Sequence, residues 1–395
     1  MTNTNEINTA GNSRLPQWGL TWLNLVQCFY QHLCLVDSEV LRNPPLRQAA
    51  KRCALYYTTK KKTMNKIISI LLLLLTTSAF GQTKTPEEFG YRHIVLKYKS
   101  DNVDILIKSK KGEENVQKPL FFFCQGSLPQ PLIKYHADDV YGVFPFEADS
   151  LSKKYHLIIV SKPYIPVVVD YKTLSPSFNY VDSSGKFPKG YSDRNLLSYY
   201  VPRNIAVLKY LQKQKWVTTT KLVVAGHSEG STVAAKMAAD YKKITHLIYA
   251  GGNPMGRIMS MIGQSRANET DTDSTKFAEE EIKYWESVVK DKRNMDGSQG
   301  DTHKATFEFS QSPIEYLGKL KIPVLVSYGT KDWSAPFNDF MRVNFIQQGK
   351  INFTFQPYIG TEHNFFPLTA DNKPNYDIFN WDKVAIDWLK WLNEN

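Results

Sequence analysis

Short apolar runs alternate with stretches of helical periodicity along the chain after residue 90. Eight runs are rich in Val, Ile, Leu, Phe and Tyr and are bounded by polar or turn-forming residues, which is typical of β-strands. Several are apolar on both faces, as strands covered by helices on both sides must be. The predicted strands are Tyr91–Tyr98, Val103–Ile107, Leu120–Cys124, Leu157–Val160, Leu222–Ala225, Leu247–Ala250, Val324–Tyr328 and Phe353–Tyr358.

Helical periodicity predicts helices between and after these strands. The clearest are Asn195–Gln214, Thr232–Tyr241 and Trp381–Leu392. Strands that alternate with helices at this spacing predict an α/β fold with one doubly wound, mostly parallel sheet of eight strands. A short turn around residues 100–102 joins the first two strands, which predicts an antiparallel hairpin at one sheet edge.

A different pattern stands upstream of the predicted sheet. From Met64 the sequence reads MNKIISILLLLLTTSAFGQ: a lysine, a short apolar run and then small residues, the order of a secretory signal peptide. A membrane anchor is the alternative, but Ile67 to Phe80 would cover roughly 21 Å as a helix, against the ~30 Å of a hydrocarbon core. We therefore expect residues 64–81 to direct export, to the periplasm or outside the cell, without a stable membrane span after processing.

Residues 1–63 precede that leader, although a signal peptide acts at an N-terminus. They show no sustained helical or strand period and no capping sequence next to an apolar stripe. We interpret them as the product of an over-extended reading frame; a disordered or weakly helical extension is the alternative. Residues 82–395 are then the mature protein, which we expect to be one α/β domain.

Composition narrows the classes of function. The 395-residue chain is 42% hydrophobic and 22% charged, which disfavours disorder and fibrous repeats. Residues 1–81 carry six of the eleven net positive charges, and the other basic residues are scattered, which disfavours nucleic-acid binding. Of the four cysteines only Cys124 lies beyond residue 81, and their spacing fits no metal site. We therefore infer neither a metal nor another cofactor.

The main chemical motif follows the predicted strand Leu222–Ala225. The next five residues read GHSEG, a G-x-S-x-G pattern with an apolar strand before it and an Ala-rich helix after it. So tight a turn forces Ser228 into a strained conformation, and glycines at its flanks avoid collisions with neighbouring backbone. The strain exposes the hydroxyl, and the helix N-terminus favours developing negative charge. The pattern predicts a nucleophile; a glycine-rich turn without chemistry is the alternative.

A serine hydroxyl needs a base, and three histidines follow Ser228 in the sequence. His246 lies inside an apolar strand, where a core role is favoured, and His303 lies in a polar stretch with no strand before it. His363 follows the last strand in the segment GTEHNFF, at the carboxyl edge of the sheet, where ligands of open α/β sheets bind. We predict that His363 is the base. His227 should point away from the neighbouring serine, so we predict a structural role for it.

An acidic residue should orient the imidazole of the base. Asp332, in IPVLVSYGTKDWSAP, stands in the loop after a buried strand and is the candidate. The alternative is that it only initiates a turn before Pro336. When a serine turn of this kind lies on an α/β sheet, the serine, the acid and the histidine follow one another along the chain in that order. Ser228, Asp332 and His363 have this order. Weaker candidates for the acid are Glu362, Asp170 and Asp182.

With these residues, the chain from Tyr91 to Leu392 resembles the α/β-hydrolase superfamily, in its serine esterase or acyl-hydrolase type with a cap insertion. The resemblance implies a catalytic triad of Ser228, His363 and Asp332. It implies no cofactor, and a small-molecule ester or acyl compound as the substrate.

The resemblance also implies an oxyanion hole formed by two backbone N–H groups. The first is that of Glu229, which follows the nucleophile. The second lies in FFFCQGSLPQPL, at Ser127, with Gly126 allowing close approach. Lipases and esterases of the superfamily often have His-Gly in that loop, where this chain has Gln-Gly.

Two further segments are candidate walls of the site. The resemblance implies that the insertion at about residues 253–320, with a predicted helix at Thr275–Val289, is a cap that excludes water and sets specificity. The run Glu279–Glu281 in it is typical of a solvated helix face and not of a metal site. Residues 162–191 carry aromatic residues that either form a second wall or only pack on themselves. These are Tyr164, Tyr171, Phe178, Tyr180 and Tyr191.

Three functions follow from these residues. The favoured one is hydrolysis of a carboxylic ester through an acyl-enzyme on Ser228. A serine peptidase resembling the prolyl oligopeptidase group is the alternative enzyme, although residues 82–395 have no room for a propeller-sized extra domain. A catalytically silent α/β-hydrolase fold that acts as a binding protein is the third, disfavoured by an intact Ser, Asp and His in the required order.

Overall fold

The computed structural model describes residues 84–270, 276–297 and 300–395, together with Gln48 alone in the N-terminal part. The predicted leader at residues 64–81 and the stretch before it therefore lie outside the described residues. From Lys84 onward the described residues belong to one compact unit. No helix among them is long and apolar enough to cross a membrane.

A mostly parallel sheet of eight strands forms the centre of this unit. The strands of the described residues are β1 (Arg92–Tyr98), β2 (Asp101–Lys108), β3 (Lys118–Cys124), β4 (Ile133–His136), β5 (Asp139–Tyr141), β6 (His156–Val160), β7 (Val168–Asp170), β8 (Val217–His227), β9 (His246–Ala250), β10 (Val324–Gly329) and β11 (Phe353–Tyr358). The order in the main sheet is β1-β2-β6-β3-β8-β9-β10-β11. β2 runs antiparallel to both of its neighbours, β1 and β6, and every other pair of neighbouring strands in this sheet is parallel. The predicted sheet and its edge hairpin are confirmed.

A second, smaller sheet has the order β5-β4-β7 and is not predicted by the sequence pattern. Its strands are three or four residues long, too short for apolar alternation to be recognised.

In the main sheet some strands extend beyond the predicted bounds. Strand β8, for example, begins at Val217 instead of Leu222. The sequence pattern misses this start because residues 218–221 are all polar.

Helices cover both faces of the main sheet. In the described residues they are α1 (Asp149–Ser152), α2 (Lys189–Ser192), α3 (Leu197–Leu211), α4 (Glu229–Asp240), α5 (Arg257–Asn268), α6 (Phe277–Lys290), α7 (His303–Phe309), α8 (Ile314–Leu317), α9 (Ala335–Gln347) and α10 (Trp381–Glu394). The three helices with the clearest periodicity, α3, α4 and α10, lie within a few residues of their predicted bounds. Short 3₁₀ helices occupy Pro86–Phe89 and Tyr171–Thr173.

Strand β8 shows how the two cores arise. Leu222 and Val224 pack in one core with α3, α4 and α9, and Val223 and Ala225 pack in the other with α1 and α10. This is the two-residue alternation of a strand that is buried on both faces. The carboxyl end of β8 is therefore held rigidly between two layers of helices.

The segment between β9 and β10 is more helical than predicted. Helix α6 matches the predicted helix Thr275–Val289 closely, and Glu279 and Glu280 are exposed, as a solvated face requires. Helix α5 before it is not predicted, because only Ile258 among its residues is fully buried and its apolar stripe is short. It packs instead on α6, and a surface ion pair of 2.6 Å joins Arg266 to Glu279.

The aromatic residues of 162–191 do not line the cavity beside Ser228 that is described below. The rings of Tyr171 and Phe178 pack on each other and on Tyr141. The hydroxyl of Tyr164 donates to Asp101 at 2.8 Å. Tyr171 and Phe178 therefore pack away from this cavity and Tyr164 binds the start of β2, while the second wall of the site stays a prediction.

Candidate active site

Ser228 stands on the turn between β8 and α4. Its backbone has φ 57° and ψ −127°, a conformation that residues other than glycine rarely adopt. A Cβ on Gly226 would lie 2.0 Å from the carbonyl oxygen of Gly230, and a Cβ on Gly230 would lie 2.0 Å from that of Cys124. The turn therefore requires both glycines of the motif. The backbone N–H of Ser228 donates to the carbonyl of Ala250 at 3.0 Å, which anchors the turn to β9.

Two side chains from neighbouring strand ends meet Ser228. His363, in the loop after β11, places Nε2 3.0 Å from Ser228 Oγ, and its Nδ1 lies 2.8 Å from Oδ2 of Asp332, in the loop after β10. Asp332 is buried, and its Oδ1 accepts the backbone N–H of Ser334 at 2.9 Å. Because the carboxylate accepts from Nδ1 of His363, Nε2 is left as an acceptor for the serine hydroxyl.

The ring and backbone of His363 are held from two directions. The indole of Trp333 stacks on the imidazole, with ring centroids 4.8 Å apart and 21° between the planes. Nε2 of His227 donates to the carbonyl oxygen of His363 at 2.9 Å. Burial lowers the pKa of His227 to about 3, and the neighbouring His363 adds to the shift, so His227 is neutral. This contact agrees with the structural role predicted for His227.

The other candidates from the sequence lie away from this group. Glu362 accepts backbone N–H groups of its own loop at 2.7 and 3.0 Å. Asp170 binds the ring of His136, and Asp182 accepts the donors of its own turn. Among the described residues, only Asp332 of the four acidic candidates contacts His363.

The two other histidines that follow Ser228 in the sequence pack in other parts of the structure. His246 is buried in β9, where its Nδ1 lies 2.8 Å from Oγ1 of Thr245. His303 begins α7 and packs its ring against Tyr284 of α6. Neither residue contacts Ser228.

The residues expected to form the oxyanion hole border Ser228. Glu229 is the first residue of α4, so its backbone N–H is one of the helix N-terminal groups without an intrahelical acceptor. Ser127 and Glu229 line the same cavity as the serine hydroxyl. A Cβ on Gly126 would stand 3.6 Å from Cβ of Ser228, which is an ordinary contact. The protein's own packing therefore does not require glycine at residue 126, and its role in the close approach of a substrate stays a prediction.

The side chain of Glu229 forms a buried ion-pair network that the sequence does not reveal. Its Oε1 lies 2.9 Å from Nζ of Lys162, in the segment after β6, and its Oε2 pairs with Arg257, the first residue of α5. Arg257 also pairs with Asp301 at 2.5 Å. Burial alone would raise the pKa of Glu229, but Lys162 and Arg257 hold it below its usual value, so the carboxylate is charged.

The only local signal for this network is the acidic residue inside the serine motif itself. A carboxylate buried beside a developing oxyanion would oppose negative charge there unless cations neutralise it. The two cations stand 67 and 28 residues from Glu229 in the chain. No periodicity links them, so the fold alone brings them together.

A cavity of about 160 Å³ opens beside Ser228. It is smaller than the pockets of roughly 300–1,000 Å³ that hold drug-sized ligands, so it suits a small substrate group. Besides the residues already described, its lining includes Asn253, Ser260, Met261, Gln264 and Phe309. Three of these, Ser260, Met261 and Gln264, come from α5.

Cys124 ends β3 and belongs to the core. It is 5% exposed, and burial raises the pKa of its thiol to about 12, so it is not a second nucleophile. In the described part of the chain, no group of three or more His, Cys, Asp or Glu residues is arranged to hold a metal ion.

Strand order and site together define the class of fold. In the main sheet the second strand is antiparallel, the serine turn follows the fifth strand, the acid follows the seventh and the histidine follows the eighth. This is the arrangement of the α/β-hydrolase superfamily. The chain has the α/β-hydrolase fold, with a Ser–His–Asp group at the carboxyl edge of its sheet.

Comparisons with solved structures give matches of low similarity. Est1E from Butyrivibrio proteoclasticus has 15% identity and a TM-score of 0.41, over 69% of this chain and 90% of its own. The acylaminoacyl peptidase of Pyrococcus horikoshii has 13% identity and a TM-score of 0.47, over 76% of this chain and 41% of its own. Dipeptidyl peptidase 4 of Porphyromonas gingivalis has 12% identity and a TM-score of 0.45, over 77% of this chain and 35% of its own. No protein-family model and no curated protein sequence matches the chain.

Proposed function

We propose that the protein is a serine hydrolase that cleaves a small-molecule carboxylic ester. The observation that carries the proposal is the hydrogen-bonded chain from Ser228 Oγ through His363 to buried Asp332, at 3.0 and 2.8 Å. The serine hydroxyl faces an imidazole that accepts its proton, and a fixed carboxylate orients that imidazole. This is the arrangement of an activated nucleophile.

The first half of the reaction forms an acyl-enzyme. Nε2 of His363 accepts the hydroxyl proton while Oγ of Ser228 attacks the acyl carbon, and Asp332 stabilises the resulting imidazolium. The carbonyl oxygen becomes an oxyanion and accepts from the backbone N–H of Glu229 and from that of Ser127, each worth about 2.7–4 kcal/mol. Collapse of this intermediate breaks the ester bond, and the departing alcohol takes the proton from His363.

The second half releases the acid. His363 accepts a proton from water, whose oxygen attacks the acyl carbon on Ser228. When the second tetrahedral intermediate collapses, the bond to Oγ breaks and the proton on Nε2 returns to the serine. The protein regains its starting state, and the products are one alcohol and one carboxylic acid.

In this proposal the insertion at residues 253–320 acts as a cap over the site. The contribution of four α5 residues to the cavity lining supports that role. The small cavity supports a short acyl or alcohol group. Ester cleavage is favoured over amide cleavage because an ester is intrinsically the more reactive bond and demands less stabilisation from the site.

A fluorophosphonate probe tests the proposal directly. We expect it to label the wild-type protein covalently and to leave folded Ser228→Ala unlabelled, and we expect hydrolysis of short-chain esters at a higher kcat/KM than that of aminoacyl amides. Folded wild-type protein that does not react with the probe would indicate a binding protein. Preference for the amides would indicate a peptidase.

We also propose that the protein is exported through a signal peptide that begins at Met64. The order of Lys66, the apolar run and the small residues before Gln82 supports it. N-terminal sequencing of protein recovered outside the cytoplasm should find a start near Gln82. A start upstream of Met64 would contradict both the leader and the interpretation of residues 1–63.

A further inference from the structure

A second cavity adjoins the cavity beside Ser228. Its volume is about 270 Å³, and we call it the Lys134 cavity after a residue of its lining. Ser127, the expected second oxyanion donor, lines both cavities. Gly126 also lines the second one, and a Cβ built on it would stand 3.6 Å from Cβ of Ser228. A substrate whose scissile carbonyl lies at Ser228 and Ser127 therefore has room in two cavities.

The Lys134 cavity carries a positive charge that its own lining does not balance. Among the described residues that line it, Lys134 is the only Lys or Arg, and none is Asp or Glu. His227 also lines it, but the ring is neutral because burial lowers its pKa to about 3. The cavity beside Ser228 differs, since its cation Arg257 is already paired with Glu229 and Asp301.

The ammonium group of Lys134 is drawn into the protein without a carboxylate to receive it. Burial lowers the pKa of Lys134, which describes the surroundings of the charged end of the side chain and not of its aliphatic stem. In the described part of the chain, Nζ forms no ion pair. Its hydrogen bond is a long one, 3.4 Å to the carbonyl oxygen of Pro131, a second residue of the same lining. Since an ammonium has three N–H donors, Nζ has donors left for a ligand.

The amide donors of this lining are already used within the protein. Nε2 of Gln125 donates to the carbonyl of Val160 at 2.7 Å, and Nε2 of Gln130 donates to that of Ser177 at 2.9 Å. A partly buried cation without a counter-charge costs free energy, and an anion that binds it in a charge-assisted hydrogen bond recovers that cost. Lys134, which keeps partial exposure, therefore suits an anion that comes from outside the chain.

We propose that Lys134 is a specificity residue that binds a carboxylate of the substrate in the Lys134 cavity. The inference rests on the proposed hydrolase function and names its substrate class: small esters that carry a free carboxylate on either the acyl or the alcohol part. The cavity beside Ser228 takes the other part of the ester, which is uncharged because Arg257 has its counter-charges already.

Matched carboxylates and carboxamides test the proposal. On the acyl side, the monoethyl esters of glutaric, adipic and pimelic acid are compared with the same esters whose free carboxylate is a carboxamide. On the alcohol side, 4-acetoxybutanoate and 5-acetoxypentanoate are compared with their carboxamides. Each kcat/KM is divided by the rate constant of alkaline hydrolysis, which removes differences in intrinsic reactivity.

We expect the wild type to prefer the carboxylate over the carboxamide by about tenfold in at least one of these pairs, as one hydrogen bond between charged groups would give. The side on which the preference occurs identifies the part of the ester that lies in the Lys134 cavity. Because the two compounds of a pair have the same size, the ratio reports charge and not fit.

Lys134→Met is the matched variant, because it keeps an unbranched side chain and removes the charge. Lys134→Gln is a second variant that stays polar and neutral. Both should abolish the preference while still reacting with the fluorophosphonate probe, which shows that they fold. The control is Lys221→Met. Lys221 is also partly buried with a lowered pKa and donates to the carbonyl of Leu392 at 2.8 Å, but it lines neither cavity, so the preference should persist.

Equal normalised rates within every pair, or a preference that survives in both Lys134 variants, would overturn the inference while leaving the proposed hydrolase function intact. A folded wild-type protein that neither reacts with the probe nor cleaves any ester would overturn both proposals.

Discussion

Both carboxylate oxygens of Asp332 are engaged, since one accepts from His363 and the other accepts the backbone N–H of Ser334. An asparagine fits the same space, but its NH₂ group facing Nδ1 favours the wrong imidazole tautomer. We therefore expect Asp332→Asn to lower kcat for ester hydrolysis by about 10⁴-fold. Steady-state kinetics on a short-chain ester measures the loss.

The control for this substitution is Glu362→Gln. Glu362 adjoins the histidine in sequence but accepts only from its own loop. Its substitution should change kcat by less than about twofold. Comparable losses in the two variants would contradict the assignment of the acid.

The buried ring of His227 predicts a pH dependence of stability. Burial lowers its pKa to about 3, whereas an unfolded histidine titrates near pH 6.5. The unfolded chain therefore binds the proton at higher pH than the folded protein. The stability contributed by the neutral ring is complete above about pH 6.5 and is lost as the pH falls towards 3, by up to about 1.4 kcal/mol per pH unit.

His227→Gln removes this titration and keeps a donor for the carbonyl of His363. Urea unfolding between pH 7 and pH 4 should show a shallower loss of unfolding free energy in the variant than in the wild type. An unchanged slope would mean that other groups cause the acid sensitivity.

At the scale of elements, Glu229 joins three parts of the chain: α4, the segment after β6 and the start of α5. Lys162→Met leaves Glu229 paired with Arg257 alone. Breaking a buried ion pair by removing one partner costs about 3–5 kcal/mol. We expect a loss of that size in the free energy of unfolding, measured by urea denaturation, together with slower acylation because the start of α4 is displaced.

The matched control is Lys236→Met, whose partner Asp240 lies on the same exposed helix face at 2.6 Å. That substitution should cost no more than about 0.5 kcal/mol. The double variant Lys162→Met/Glu229→Gln should recover part of the lost stability, because the excess negative charge in the buried network is gone. Equal losses for the two lysine variants would contradict a stabilising network.

The elements that the sequence predicts are those with a local signal. The strands of the main sheet and helices α3, α4 and α10 carry their own apolar period, and Ser228 sits inside a motif whose glycines the backbone contacts require. Helix α5, by contrast, is held by α6. The pairing of Glu229 with Lys162 and Arg257 depends on strand ends that meet only after folding. Neither helix α5 nor this pairing could therefore be predicted from the sequence.

At the scale of the whole molecule, the cavity lies where α5 meets the loops at the carboxyl edge of the sheet. Its small volume predicts a limit on chain length. Met261→Ala removes side-chain volume from the lining, and each additional buried methylene of a substrate contributes about 0.8 kcal/mol. We expect the ratio of kcat/KM for hexanoate over acetate esters to rise by about tenfold.

Met259→Ala provides the control for cavity size. Met259 lies on the same helix but does not line the cavity, so its substitution should leave the chain-length profile as it is in the wild type. If both methionine variants shift the profile equally, loosening of α5 and not cavity volume would explain the change.

Cys124 offers a property unrelated to the reaction. Its backbone carbonyl lies against Gly230 of the serine turn, its thiol is buried, and the raised pKa of the thiol suppresses attack on alkylating reagents. The other three cysteines precede the proposed mature start. In that mature protein, alkylation therefore proceeds only as fast as the sheet under Ser228 opens. Mass spectrometry of the alkylated protein over time would therefore measure the rate of local unfolding, and this measurement needs no substrate.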